Sequence, residues 1–183
     1  MRAAFRVASV AALAIAATTA SHAESPGAAN PAVKRGAYLV RFGGCNDCHT
    51  PKVMTPRGPA PDPGRELSGH PASVTLPPPP DLAPDKWMAA TNGDLTAWVG
   101  PWGVSYAANL TPHRRTGLGD WTVEQFVKTM RTGKHLGTGR EILPPMPWED
   151  LAALNDQDLR AIFAYLRSIR PIENQVPAPL PPK

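Results

Sequence analysis

Gly43-Gly44-Cys45-Asn46-Asp47-Cys48-His49-Thr50 is the stretch on which the reading of this chain turns. It holds both cysteines of the 183-residue sequence. Cys-x-x-Cys-His reads as covalent c-type haem attachment. Each thiol can add across one vinyl group of the porphyrin, and the histidine that follows the second thiol is placed to ligate the iron from one face. Other readings of the same residues are narrower. A structural zinc site needs about four Cys/His ligands, and beyond Cys45, Cys48 and His49 only scattered histidines remain. A thioredoxin-like dithiol follows a buried strand, whereas residues 32–42 read as a helix. A plain disulfide is the third alternative, and it leaves His49 without a role.

Upstream, the helix at residues 32–42 delivers the chain to Gly43-Gly44, where two glycines allow a tight bend. Downstream, prolines and glycines recur through residues 50–112, with four consecutive prolines at 77–80. Little regular structure is expected there, and a porphyrin would supply the core on which such loops pack. A second helix is expected at residues 122–132, opened by a capping box of Thr122 with Gln125 and ended near Gly133. Val123, Phe126, Val127 and Met130 share one of its faces. A third spans residues 156–169, with Asn155 as N-cap and Leu159, Ile162, Phe163 and Leu166 as its apolar stripe. It is expected to pack on the first. The fold class expected is all-α.

Arg2 and Arg6, an apolar run at residues 7–17 and Ser21-His22-Ala23 read as a cleaved secretory leader. The run is short of the about 20 apolar residues that span a bilayer, so the expected mature protein is exported without membrane insertion. The expected organisation is a signal peptide at 1–23, a linker at 24–31, one domain at 32–170 and a proline-rich tail at 171–183. Removing the leader takes two arginines from 19 basic residues against 15 acidic ones, and the formal charge falls from +4 to +2. Nucleic-acid binding gets no support. Residues 113–140 are mainly basic and residues 141–158 acidic, which reads as a solvated face or as a surface that steers a charged redox partner.

A sixth iron ligand has to come from the remaining methionines and histidines. Met146 lies in Leu143-Pro144-Pro145-Met146-Pro147-Trp148, whose prolines exclude helix and strand and hold a thioether on a stiff loop. Met130 sits on a core-facing stripe, where packing is the commoner role. Met88 lacks such a frame, Met54 lies only five residues beyond His49, and His70, His113 and His135 read as exposed loop residues. Met88, a histidine or an open position therefore remain alternatives to Met146. No Ser/His/Asp arrangement, nucleotide-binding glycine loop or carboxylate pair stands out, and Glu149-Asp150 reads as a helix start.

Together with the haem motif and the Pro-Pro-Met-Pro-Trp loop, Asn109-Leu110-Thr111-Pro112, Thr116-Gly117-Leu118-Gly119, Trp121-Thr122, Arg131-Thr132-Gly133 and Ile162-Phe163-Ala164-Tyr165-Leu166-Arg167 resemble class I cytochrome c domains. The likeness is to the monohaem domains of bacterial cytochrome c subunits of periplasmic dehydrogenases, and it covers residues 33–179. It implies one haem c, with Cys45 and Cys48 as thioether anchors, His49 as proximal ligand and Met146 as distal ligand. Asn109 and Arg140 are candidates for the haem propionates, or else exposed turn residues. The chain carries the domain once, with a longer segment at residues 50–108. The implied function is single-electron transfer in the periplasm between a dehydrogenase and a respiratory acceptor, by a carrier that is not itself an enzyme. The alternative is a haem enzyme or small-ligand sensor with a displaceable distal ligand.

Overall fold

The computed structural model describes residues 30–82 and 86–182. The expected leader at 1–23, most of the 24–31 linker and Lys183 lie outside the described residues. Helix α1 (Pro31–Phe42) starts where Asn30 accepts a hydrogen bond from the Ala32 amide and Pro31 occupies the first turn. Its apolar side buries Leu39 and Val40. Gly36 lies against α5 (Asp156–Ser168), so close that an added Cβ would collide with the Ala161 carbonyl. Backbone cannot yield as a side-chain tip can, and glycine therefore sets this crossing. Among the helices, α1 and α5 share the most extensive contact, as the sequence predicts.

Helix α2 (Cys45–His49) is a single turn entered through Gly44 in the left-handed conformation. Helix α3 (Val123–Thr132) carries the full capping box: Thr122 accepts from the Gln125 amide and the Gln125 side chain accepts from the Thr122 amide. A short α4 (Trp148–Ala152) holds Glu149 and Asp150 in its first turn, where carboxylates face the positive helix end. Asn155 caps α5. Leu39, Val40, Leu67, Leu118, Phe126, Met130, Leu159, Ile162, Phe163 and Leu166 form one core.

The all-α expectation is corrected by two small antiparallel sheets in the segment expected to be irregular. Strands β1 (Lys52–Thr55) and β2 (Gly58–Pro61) form a hairpin in which Pro59 and Pro61 oppose Met54 and Lys52. Both prolines share one parity along the strand, and the intervening Gly58 and Ala60 keep their amides for pairing, which is how a two-stranded ribbon tolerates proline. Strands β3 (Ala90–Thr91), β4 (Ala97–Gly100) and β5 (Gly103–Tyr106) make a three-stranded meander, closed at Pro101-Trp102. Proline and glycine density excludes long elements. It does not exclude four-residue strands whose turns need those same residues.

Residues 171–182 run back across the domain. Val104 and Leu180 exchange backbone hydrogen bonds of 2.9 Å. Asn174, 4% exposed, donates to the carbonyls of Ser68 (2.7 Å) and His70 (2.8 Å) and accepts from the Ala72 amide (2.9 Å).

Candidate haem-attachment site

Helix α2 places Cys45, Cys48 and His49 on one turn, with the two cysteines three residues apart and so neighbours on one face. Neither is in a disulfide and both are half-buried. Burial is the main cause that pushes the Cys45 thiol up, opposed by a backbone hydrogen bond, with Asp47 and Cys48 adding to the rise. Burial likewise raises Cys48, helped by Asp47 and opposed by Lys52. A dithiol that exchanges disulfides needs a lowered pKa. These two move the other way.

The turn is held in place by its own surroundings. Thr50, fully buried, donates to the Asn46 side chain (2.8 Å) and accepts from the Leu67 amide (2.8 Å). The Lys52 ammonium donates to the carbonyls of Asp47 (2.7 Å) and Thr50 (2.6 Å), which answers the carbonyls at the end of the helix.

His49 is buried, and its Nδ1 lies 2.8 Å from the Ala108 carbonyl. A carbonyl only accepts, so Nδ1 carries the proton and Nε2 keeps a lone pair. Burial lowers the pKa of His49 and the Ala108 carbonyl opposes this. The ring is thus a neutral imidazole of fixed tautomer, the form in which histidine ligates a metal. Ala108 is positioned by a neighbouring segment: the Gly69 amide donates to the His49 carbonyl (2.8 Å), the His70 amide to Ala107 (2.9 Å) and the Leu110 amide to Leu67 (2.9 Å). Gly69 has φ +78°, and a Cβ there would strike the Ala107 and Ala108 backbone.

Met146 is half-buried and lines a cavity of about 470 Å³ together with Ile142, Pro144, Pro145, Pro147 and Trp148. Met130 is 8% exposed and belongs to the core, whereas Met54 and Met88 are 80% and 77% exposed. A thioether in solvent is a poor candidate ligand. Among the histidines, His135 is exposed as expected and meets Trp121 edge-on at 5.0 Å, and the half-buried His113 bonds Thr116 (2.7 Å).

His70 departs from expectation, being 1% exposed. Asp94 accepts the Thr96 hydroxyl proton (2.6 Å), so Thr96 in turn accepts from His70 Nδ1 (2.7 Å). His70 Nε2 makes no hydrogen bond of proper geometry, although the Val74 carbonyl is close enough to favour the protonated ring. Asn109 also departs: it is 4% exposed, with its oxygen taken by Thr111 (2.7 Å) and its amide given to the Ile172 carbonyl (2.8 Å). It is neither an exposed turn residue nor free for a propionate. Arg140 is exposed and donates to the Glu141 carbonyl (3.1 Å). Three basic residues of the 113–140 run are matched to acids: Arg114 to Asp120 (2.8 Å), Arg115 to Glu173 (2.9 Å) and Arg131 to Asp156 (2.6 Å). Such pairs add little stability but neutralise part of the basic run.

A single turn that presents two thiols and a backbone-fixed neutral imidazole, framed by crossed helices, is an arrangement suited to a cytochrome c. Sequence comparison agrees: the chain is related to dehydrogenase-associated cytochrome c domains. It is 30% identical over 154 residues to the gluconate 2-dehydrogenase cytochrome c subunit of Pantoea cypripedii, covering 81% of this chain and 27% of that one. The alcohol dehydrogenase (quinone) cytochrome c subunit of Gluconobacter oxydans is 29% identical over 161 residues, covering 87% and 26%. The fructose dehydrogenase cytochrome subunit of Gluconobacter japonicus is 33% identical over 78 residues, covering 42% and 16%. The chain thus spans about a quarter of the length of the first two relatives. No family model matches it.

Proposed function

We propose that this chain is an exported monohaem c-type cytochrome that passes single electrons between a dehydrogenase and a respiratory acceptor. The observation that carries the reading is the 2.8 Å bond from His49 Nδ1 to the Ala108 carbonyl, which leaves Nε2 of a buried, neutral imidazole free beside two unpaired thiols. Those residues fit haem c. Cys45 and Cys48 would hold it through thioethers, His49 would be the proximal ligand and Met146 the distal one. Haem iron between an imidazole and a thioether supplies one-electron chemistry at a raised potential, with no position open to substrate.

The chain's own residues then do the rest. Ala108 fixes the imidazole, the proline-stiffened loop would present the Met146 thioether, and α1, α3 and α5 supply the core on which these segments pack. The relatives are named as cytochrome subunits of dehydrogenases, which supports a dehydrogenase as redox partner and a role that is not itself catalytic. The leader at residues 1–23 supports a periplasmic site of action. Among the described residues no helix is long and apolar enough to cross a membrane.

A pyridine haemochrome spectrum of the purified protein tests the reading. One haem c per chain is the expected result. No haem, or haem extracted by acidic solvent, overturns it. Ready binding of carbon monoxide by the reduced protein would replace the carrier with a haem enzyme or a ligand sensor.

A further inference from the structure

We propose that Ser105, backed by Trp102, is the positioning residue for the Met146 loop, so that the β4–β5 hairpin of the long 50–108 segment sets how firmly the thioether is held. The inference rests on the reading of Met146 as distal ligand.

The loop cannot hold itself. Of Leu143-Pro144-Pro145-Met146-Pro147-Trp148, three residues have no amide hydrogen to give. The Ile142 amide ties its entry to Gly133 (2.7 Å), and the Trp148 amide folds its exit back onto the Met146 carbonyl (2.9 Å). Between them the Pro144 carbonyl takes its donor from outside the loop. Ser105, 39 residues earlier and 8% exposed, donates its hydroxyl to that carbonyl at 2.6 Å.

The geometry makes this hydroxyl more than a passing contact. Trp102 Nε1 donates to Ser105 Oγ at 3.2 Å, so the serine oxygen accepts from the indole while its one proton is committed to Pro144. A hydroxyl fixed at both ends has no rotor freedom left to lose. The indole is itself wedged against Gly100, where even a Cβ would collide with the ring. Behind Ser105, β5 pairs with β4 on one side and is bridged through Val104 to Leu180 on the other. The donor therefore sits on a strand held from both edges, and it grips the loop two residues before Met146.

The readout that separates positioning from general stability is competition for the iron. In the haem-loaded full chain, an external ligand such as imidazole binds ferric iron only as the thioether leaves. Loss of this one part-buried hydrogen bond should favour the detached loop by roughly five- to tenfold. Ser105→Ala should therefore bind imidazole about five- to tenfold more tightly than wild type, and lose the weak far-red absorption of sulfur-bound ferric iron at lower imidazole. Ser105→Thr keeps the hydroxyl and should restore wild-type affinity. Trp102→Phe keeps the ring, loses the N–H and should shift affinity in the same direction by a smaller factor, which gives a second measurement if Ser105→Ala does not fold. Unchanged imidazole affinity in Ser105→Ala or Trp102→Phe, with Met146→Ala binding it tightly, overturns the positioning role. If Met146→Ala itself keeps the far-red band and wild-type affinity, it is the ligand assignment that fails.

Discussion

The proximal turn and the distal loop fix their backbones by different means. Cys45, Cys48 and His49 lie within five residues of one helical turn, and Gly44 before it and Thr50 and Lys52 after it shape that turn locally, while only the His49 ring is oriented from afar, by Ala108. Met146 sits where local bonding is scarce, and its loop takes its middle anchor from Ser105. The cysteine pair, built on one turn, is insulated from damage elsewhere in the fold, whereas the His49 ring depends on Ala108. A remotely tethered loop reports that damage, so with Met146 as distal ligand the distal side would be where ligation is tuned.

The largest effect should come from breaking the proximal side. A Cys45→Ala, Cys48→Ala double variant is expected to lose haem-dependent peroxidase staining on a denaturing gel, because axial bonds do not survive denaturation and thioethers do. Full retention of stain would break the attachment assignment. The unloaded chain should also melt far below the loaded one, since the porphyrin would supply part of the core on which the loops pack and the axial bonds form only in the native state.

Next in size is the distal side. Met146→Ala should remove the far-red sulfur band, lower the midpoint potential and let the reduced protein take up carbon monoxide. Met130→Ala is the contrast. Its side chain is buried among Phe126, Leu159 and their neighbours, so its loss should cost about 2–5 kcal/mol of stability and leave the spectrum intact. A spectrum that changes in Met130→Ala and not in Met146→Ala would exchange their roles.

The same contrast explains what could be read from the sequence. Cys45, Cys48 and His49 were legible because their chemistry is written in adjacent residues, and α3 and α5 because an apolar stripe repeats within one element. Thr122 with Gln125, three residues apart, marked the start of α3 at Val123. The hairpins were not legible, since four-residue strands give no periodicity and their prolines argue for loops. Asn109 read as a turn residue because its partners, Ile172 and Asn174, lie more than sixty positions away. His70 likewise gained its burial from Thr96, 26 positions on. Long-range polar pairing leaves no local pattern.

A smaller effect tests whether residues 171–182 belong to the frame of the proximal side. Asn174→Ala would leave the Ser68 and His70 carbonyls and the Ala72 amide without their partner. Buried groups left unpaired make this cost on the order of 3 kcal/mol. Urea denaturation measures it. Because Gly69, which bonds His49, lies between Ser68 and His70, the variant should also loosen the proximal histidine, seen as faster amide exchange at Gly69. A loss below about 0.5 kcal/mol would mean the strap is ornamental.

The smallest expected effect concerns His70, which lies in the segment that frames the proximal side. Burial lowers its pKa first of all, and Arg65 adds to this, while the Val74 carbonyl and the Asp94 carboxylate oppose. A histidine whose folded pKa is depressed stays neutral in the native protein while the unfolded chain, at about 6.5, takes up the proton first. The unfolded state then binds more protons, so stability is full above about pH 6.5 and falls as the pH drops through that value toward the folded pKa. One proton limits the slope to less than about 1.4 kcal/mol per pH unit. In the loaded protein His49 would be held by iron, so its own lowered pKa would not contribute in this window. His70→Asn can keep a donor for Thr96 and removes the titrating ring. Urea midpoints measured at about pH 7.5 and about pH 5.5 should therefore differ less in His70→Asn than in wild type. Equal acid losses in both proteins would show that the folded ring titrates as the unfolded one does, with the Val74 carbonyl and Asp94 offsetting burial.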